Sequence, residues 1–221
     1  MVKYIDLTHV IDPGAVQRKF SIEQIGAETV NPNVVRLEDQ WYIMSNINMV
    51  SHIGTHIEAP YHILPSGKDL AALPLETLCG DAVLLDLRGL PQKSAICEET
   101  VKAAAEKAGG IRKGDIVLCN LGYADHYGAD EYSMSPHFTT EAIEFLANSG
   151  MKMMGVDAGG VEIPASEEHV NHLALLSRDI PLIENVANLN ALPAHRFKVY
   201  AFPIAVLGLE SFPVRVVAQL G

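Results

Sequence analysis

Ser51-His52-Ile53-Gly54-Thr55-His56-Ile57-Glu58-Ala59-Pro60-Tyr61-His62 sets three histidines and a glutamate around a glycine and a proline. His52, Gly54, His56, Glu58, Pro60 and His62 are all even-numbered, while Ile53, Thr55, Ile57, Ala59 and Tyr61 between them are mostly apolar. Extended backbone sends alternate side chains to opposite faces, so the pattern predicts a strand with every ligand-type group on one face. A helix would also bring residues four apart together, as in His-Glu-x-x-His metalloproteases. Gly54, the β-branched Ile53, Thr55 and Ile57, and Pro60 argue against a helix here. A straight strand would hold His52 and His56 about 13 Å apart at roughly 3.3 Å per residue, whereas zinc–nitrogen bonds are about 2 Å. The chain is therefore expected to curl at Gly54, a residue open to backbone conformations closed to others. The competing reading is a chance grouping of core or surface histidines. Three of the nine histidines of the chain and a carboxylate within eleven residues favour a first-row metal site instead.

Outward from this run, 221 residues with 48% hydrophobic content can bury a proper core, and residues 1–221 are expected to form a single domain. Sixteen basic against 27 acidic residues give a net charge of −11, which repels phosphate backbones and anionic membrane surfaces. Nucleic acid and membrane are accordingly excluded as partners. Cys79, Cys97 and Cys119 are odd in number, far apart and in no Cys-x-x-Cys pair, as expected of a reduced cytosolic protein without cysteine chemistry. The amino terminus lacks a signal-peptide apolar stretch, and no run approaches the roughly eighteen apolar residues of a membrane span. A cytoplasmic protein is expected.

Strands are predicted over Tyr4–Leu7, Tyr42–Met49, the metal run, Ala82–Leu87, Asp115–Asn120, Met153–Val156, Val199–Phe202 and Val214–Gln219, from apolar or β-branched enrichment beside turn residues. Cys97–Ala108 is predicted helical, with Glu98 and Glu99 in the first turn and Gly109-Gly110 after the last. Thr139–Asn148 is a second helix, capped by Thr139 or Thr140 and followed by Gly150. His169–Ser177 and Asn185–Leu192 are shorter candidates. Strands and helices alternate only in the middle, which predicts an α/β fold with a mixed β-sheet core and helices packed on it, not a doubly wound parallel sheet. Residues 11–40 show no clear period and read as a lid or a surface loop. Trp41 reads equally as core filler or substrate platform.

A second cluster lies in Glu167-Glu-His-Val-Asn-His172-Leu-Ala-Leu-Leu-Ser-Arg-Asp-Ile-Pro-Leu-Ile-Glu184. His172 falls on a short apolar helix and Glu184 closes the strand Ile180–Ile183, where a buried carboxylate needs a partner. A helix-capping role for Glu184 is the alternative. Together the two clusters resemble the putative cyclase family, which includes bacterial kynurenine formamidases and isatin hydrolases. That family carries His-x-Gly-Thr-His-x-Asp-x-Pro-x-His, matched here with Glu58 in place of Asp, and later a His followed twelve residues on by a Glu, matched by His172 and Glu184. Lys113-Gly-Asp-Ile-Val-Leu-Cys-Asn-Leu-Gly-Tyr123 and Gly155-Val-Asp157 resemble the intervening family segments. Leu121-Gly122-Tyr123 departs from the family's Thr-Gly-Trp, and Gly159 or Gly160 stands where a Ser often follows.

The resemblance implies a swivelling β/β/α fold, a homodimer or higher homo-oligomer, and a divalent metal. It implies His52, His56 and Glu58 as metal ligands, His62 as the proton donor and acceptor, and His172 and Glu184 as completing a second metal site. Imidazoles and a carboxylate suit Zn2+ or Mn2+, which lowers the pKa of a water toward 7 and polarises a carbonyl for attack. The imidazole of His62, with an ordinary pKa near 6.5, can take a proton from water and return it to a leaving amine. Metal ligation or a structural hydrogen bond are the alternatives for His62. The expected activity is hydrolysis of a small formamide or cyclic amide, as in N-formylkynurenine formamidases. Isatin, a lactone or cyclisation of another small substrate is the alternative, and a metal-binding relative without turnover a third. Because Glu58 is one methylene longer than Asp, one tightly held ion is expected in place of two. His9, His126, His137, His169 and His195 lack comparable context and read as ordinary.

Overall fold

A computed structural model describes residues 2–14 and 18–221. Among these the strands are β1 (Lys3–Asp6), β2 (Phe20–Gly26), β3 (Ile43–Met49), β4 (His56–Glu58), β5 (Cys79–Asp86), β6 (Ala95–Ile96), β7 (Ile116–Asn120), β8 (His137–Phe138), β9 (Met153–Val156), β10 (Leu182–Glu184), β11 (Arg196–Tyr200), β12 (Ser211–Pro213) and β13 (Val217–Leu220). The α-helices are α1 (Ala27–Val30), α2 (Leu75–Leu78), α3 (Glu98–Lys107), α4 (Thr140–Asn148) and α5 (Val170–Leu176). Nine strands make one sheet in the order β1-β13-β11-β5-β7-β9-β10-β4-β12. Its centre, β5-β7-β9-β10, is parallel and both flanks are antiparallel. The expected mixed α/β architecture is therefore present.

The parallel centre arises from three successive crossovers through α3, α4 and α5. Crossovers of one hand between strands laid down in order carry every helix to the same face. One core cluster accordingly joins Val101, Ala104, Ile143, Leu146 and Leu175 of the helices to Val83, Val117, Met154 and Leu182 of the sheet. β7 is buried along its whole length, as its unbroken Ile-Val-Leu-Cys run requires of a strand covered on both faces. The second cluster fills the opposite face, and it unites Ile57 of β4 with Val199 of β11 and Ala218 of β13. Strands distant in the sheet order share it because the sheet curls. Leu7 ties the curl together: its N–H donates to Val216 O, its carbonyl accepts from Ala187 N, and Thr8 bridges to Val186.

Local rules explain the two longer helices. Thr139 Oγ1 accepts from Ala142 N at 3.3 Å as the cap of α4, and Gly150 at φ +84° follows its end. Glu98 and Glu99 begin α3 and Lys107 ends it, complementing the helix dipole. Elsewhere the expectations need correction. Asn185–Leu192 is no α-helix, since Asn185 and Asn188 take left-handed backbone and leave one 3-10 turn at Leu189–Ala191. The strand expected over Val214–Gln219 begins only at Val217, as β13, and β11 begins three residues before Val199. Of residues 11–40, where 15–17 lie outside the described residues, Phe20–Gly26 is a strand that pairs along its length with β3 as a separate hairpin. Trp41, 80% exposed, is neither core filler nor part of the site described below.

Candidate metal centre

Only His56–Glu58 of the metal run is a strand, which corrects the expectation of one extended face from His52 to His62. The chain turns on either side of it. Gly54 takes φ +62°, where an added Cβ would sit 2.6 Å from Ile11 Cγ1, and this bend brings His52 back toward β4 as expected. After Glu58, Pro60–His62 forms a 3-10 turn, with proline at its start, that returns His62. Within β4 the alternation holds: Ile57 enters the core behind the sheet while His56 and Glu58 face the helix side. β10 pairs antiparallel with β4 so that Glu184 lies directly opposite His56. Residues paired across two strands share a face, so the second carboxylate enters the site through sheet register. α5 supplies His172 from the same side.

The six side chains converge. Glu58 Oε1 is 2.9 Å from His52 Nδ1, 3.6 Å from His56 Nε2 and 3.8 Å from His62 Nε2, while its Oε2 is 3.3 Å from His172 Nε2. Glu184 reaches His56 Nε2 at 3.4 Å through Oε2 and His172 Nε2 at 3.6 Å through Oε1. Two sets of potential ligand atoms, His52-His56-Glu58 and Glu58-His62-His172, each lie within 4.8 Å of one another and share Glu58. His62 stands outermost, a third exposed, with its ring 4.5 Å from that of His52 and 5.9 Å from that of His172.

Burial opposes ionisation of Glu58, but the imidazoles of His172, His52 and His56 outweigh it and hold the carboxyl far below the usual range. Burial likewise opposes protonation of His56 and His172, yet Glu184 and Glu58 raise His56 to about 9, and Glu162, Glu184 and Glu58 raise His172 to about 12. Burial lowers His62. In the absence of a metal, protons on His56 and His172 thus offset the charge of the two carboxylates, and a divalent ion could take the place of those protons. His56 Nε2 and Glu58 Oε2 are buried without a hydrogen bond, a costly state that a cation between them would relieve. Imidazole nitrogen and carboxylate oxygen are the donors that zinc and manganese take. The residues present fit a divalent ion.

A cavity of about 660 Å³ opens onto this cluster. Its walls include Tyr127, Tyr132, His137 and His169, so two histidines without context in the sequence border the site. His9, a third, stacks on Tyr127 with ring centres 4.2 Å apart. Sequence reasoning also missed the residues that hold the site in shape. Asn185 Nδ2 donates to Gly54 O at 2.8 Å and its Oδ1 accepts from Tyr132 at 2.7 Å, linking the bend to the cavity wall. Gly54 N–H donates to Tyr127 Oη at 3.1 Å. Glu162 accepts from His172, and Glu210 Oε1 lies 3.5 Å from His52 Nε2. Asp157, noted in the sequence without a role, accepts the backbone N–H groups of Leu121, Gly122 and Tyr123 at 2.6–3.0 Å and so fixes the start of the segment bearing Tyr127 and Tyr132. Cys119 is fully buried and its thiol is pushed up, which suits packing and not nucleophilic attack. No helix among the described residues is long and apolar enough to cross a membrane.

Comparison with known proteins fits this geometry. The chain is 28% identical over 176 residues to the kynurenine formamidase of Bordetella avium, covering 80% of each protein. Its fold matches isatin hydrolase A from Labrenzia aggregata with a TM-score of 0.82 at 24% identity, over 99% of this chain and 94% of that one. A protein from Bacillus stearothermophilus, described as a predicted metal-dependent hydrolase, superposes with a TM-score of 0.78 at 25% identity over 99% and 98% of the two chains. The profile of the family described as Putative cyclase matches residues 5–163, a stretch that holds His52, His56, Glu58 and His62 and takes in well over half of the sequence, and the chain belongs to that family.

Proposed function

We propose that this protein is a metal-dependent hydrolase that cleaves the C–N bond of a small formamide or cyclic amide. The observation that carries the reading is Glu58, whose two oxygens face different imidazoles at 2.9–3.8 Å while its Oε2 and His56 Nε2 stay buried without hydrogen bonds. His52, His56 and Glu58 would hold one ion, and Glu58, His172 and Glu184 a second. The opposed directions of the two Glu58 oxygens favour two ions over the single ion expected from the longer side chain. A bound Zn2+ or Mn2+ acidifies water and polarises a carbonyl. His62, at the open edge of the cluster, takes a proton from water and returns it to the leaving amine. Its placement there speaks against a relative that merely stores metal. The cavity is of the size that encloses a small aromatic amide.

The formamide reading draws on the likeness to the kynurenine formamidase. A cyclic amide such as isatin is the second reading, and a lactone or cyclisation of another substrate the third. The three cysteines are free, which supports a reducing, cytoplasmic setting. The β2–β3 hairpin exposes Ile22, Met44 and Ile47, and two strands alone are marginal in water, which supports a homodimer or higher homo-oligomer, to be read by light scattering. The deciding experiment is elemental analysis of protein purified without added metal, followed by assays on N-formylkynurenine, simple formamides, isatin and lactones. Two equivalents of zinc or manganese that survive dialysis, with formamide turnover, are expected. Metal-free protein inert toward the whole panel even after zinc or manganese is supplied would overturn the proposal.

A further inference from the structure

We propose that Glu162, which neither the motif nor the ligand set includes, is the positioning residue of His172 and sets how tightly the ion on that side is held. The inference rests on the reading of the cluster as a metal centre. Glu162 Oε1 accepts from both the backbone N–H and the Nδ1 of His172, each at 2.8 Å. A carboxylate only accepts, so Nδ1 carries a proton, and Nε2 is the nitrogen that an ion would take in exchange for a proton. That nitrogen is the one turned toward Glu58 Oε2 and Glu184 Oε1, at 3.3 and 3.6 Å. His56 is oriented in the same sense, with Nδ1 2.9 Å from Gly54 O and Nε2 toward both carboxylates.

The two inner imidazoles thus present the same nitrogen but lean on different partners, a neutral carbonyl for His56 and an anion for His172. An anion behind a ligating imidazole makes it the stronger donor and adds charge to the site, and such outer partners are commonly worth about 10–100-fold in metal affinity. The position of Glu162 does not depend on a metal. Asn171, fully buried in the first turn of α5, donates to Val161 O at 2.8 Å and Phe138 O at 3.0 Å, fixing the chain beside Glu162 against the helix that carries His172. The asymmetry separates the two halves of the cluster: Glu162 acts on the Glu58-His62-His172 side and has no contact with His52 or His56.

The test compares wild type, Glu162→Gln and Glu162→Ala, each first stripped of metal and then titrated with zinc against a chromophoric chelator. Nitrogen-15 spectra of the histidines and the melting of the metal-free proteins are recorded in parallel. Glutamine keeps an acceptor for Nδ1–H and removes the charge, while alanine removes both. One zinc step is expected to weaken about 10-fold in Glu162→Gln and about 100-fold in Glu162→Ala. The step belonging to His52 and His56 stays in place, and the Nδ1–H form of His172 persists in Gln and is lost in Ala. Unchanged zinc affinity in both variants, whatever their melting temperatures, would overturn the inference and leave Glu162 as a structural clasp on α5. A wild type that takes up no zinc would overturn the metal centre itself and this inference with it.

Discussion

Four imidazoles around one carboxylate differ in depth, and the proposed division into ligands and a proton carrier follows that difference. His56 is buried at the centre with both inner carboxylates within 3.6 Å of Nε2, whereas His62 is a third exposed and touches the cluster only at 3.8 Å. His56→Ala is expected to abolish both metal content and turnover, since it removes the more deeply buried of the two imidazoles that face Glu58 and Glu184 together. His62→Gln is expected to keep wild-type metal stoichiometry and lose roughly two to four orders of magnitude in rate, the usual worth of a placed acid–base group. Elemental analysis beside turnover separates the two, and loss of an ion in His62→Gln would move His62 among the ligands. Every one of the six converging side chains was legible in the sequence. The residues that hold them were not, because Asn185, Glu162 and Glu210 come from segments whose contact with the run is made only by folding.

Among the elements, β4 is too short to present the site alone. Three residues of strand carry His56 and Glu58, and a left-handed glycine before them and a proline-led 3-10 turn after them deliver His52 and His62. The sequence pattern signalled a strand throughout because alternation has the same appearance whether the backbone continues or bends. Gly54→Ala tests the bend. Left-handed backbone costs an alanine about 1–2 kcal/mol, and its Cβ would press into Ile11 at 2.6 Å. Urea denaturation is expected to show a loss of at least that size, together with lower metal content as His52 moves off Glu58. Full metal occupancy in that variant would mean the bend is incidental. The shorter helix candidate at Asn185–Leu192 failed for a related reason: Asn185 is held left-handed while its side chain binds Gly54 O.

At the scale of the molecule, the site sits where the parallel centre of the sheet meets its antiparallel flank, at the β10–β4 pairing. Both ends of the chain's chemistry, the run at 52–62 and the pair 172 and 184, are joined by that one register. An ion bound there would therefore tie the flank to the centre. A ligand that binds only the folded protein at about 100 times its dissociation constant adds about 2.7 kcal/mol, which for a chain of this size raises the melting midpoint by about 5–10 °C. Calorimetry with and without a chelator is expected to show that difference, restored by zinc or manganese. Equal midpoints in both conditions would leave the cluster without a structural ion.

By itself the sequence determined which imidazoles and carboxylates gather, the mixed α/β class and the family, because residue type, spacing and alternation are local properties that survive without a fold. Met153–Val156 and the cap of α4 at Thr139 follow the same local rules and are found where those rules put them. Only the tertiary structure decided how His172 and Glu184 meet the first cluster, that the two Glu58 oxygens face different imidazoles, and that Glu162, Tyr127 and Asn185 build the walls. The physical reason is that these contacts depend on strand register, on the hand of the β–α–β crossovers and on the curl of the sheet. Those are set by the packing of distant segments, which no window of sequence contains.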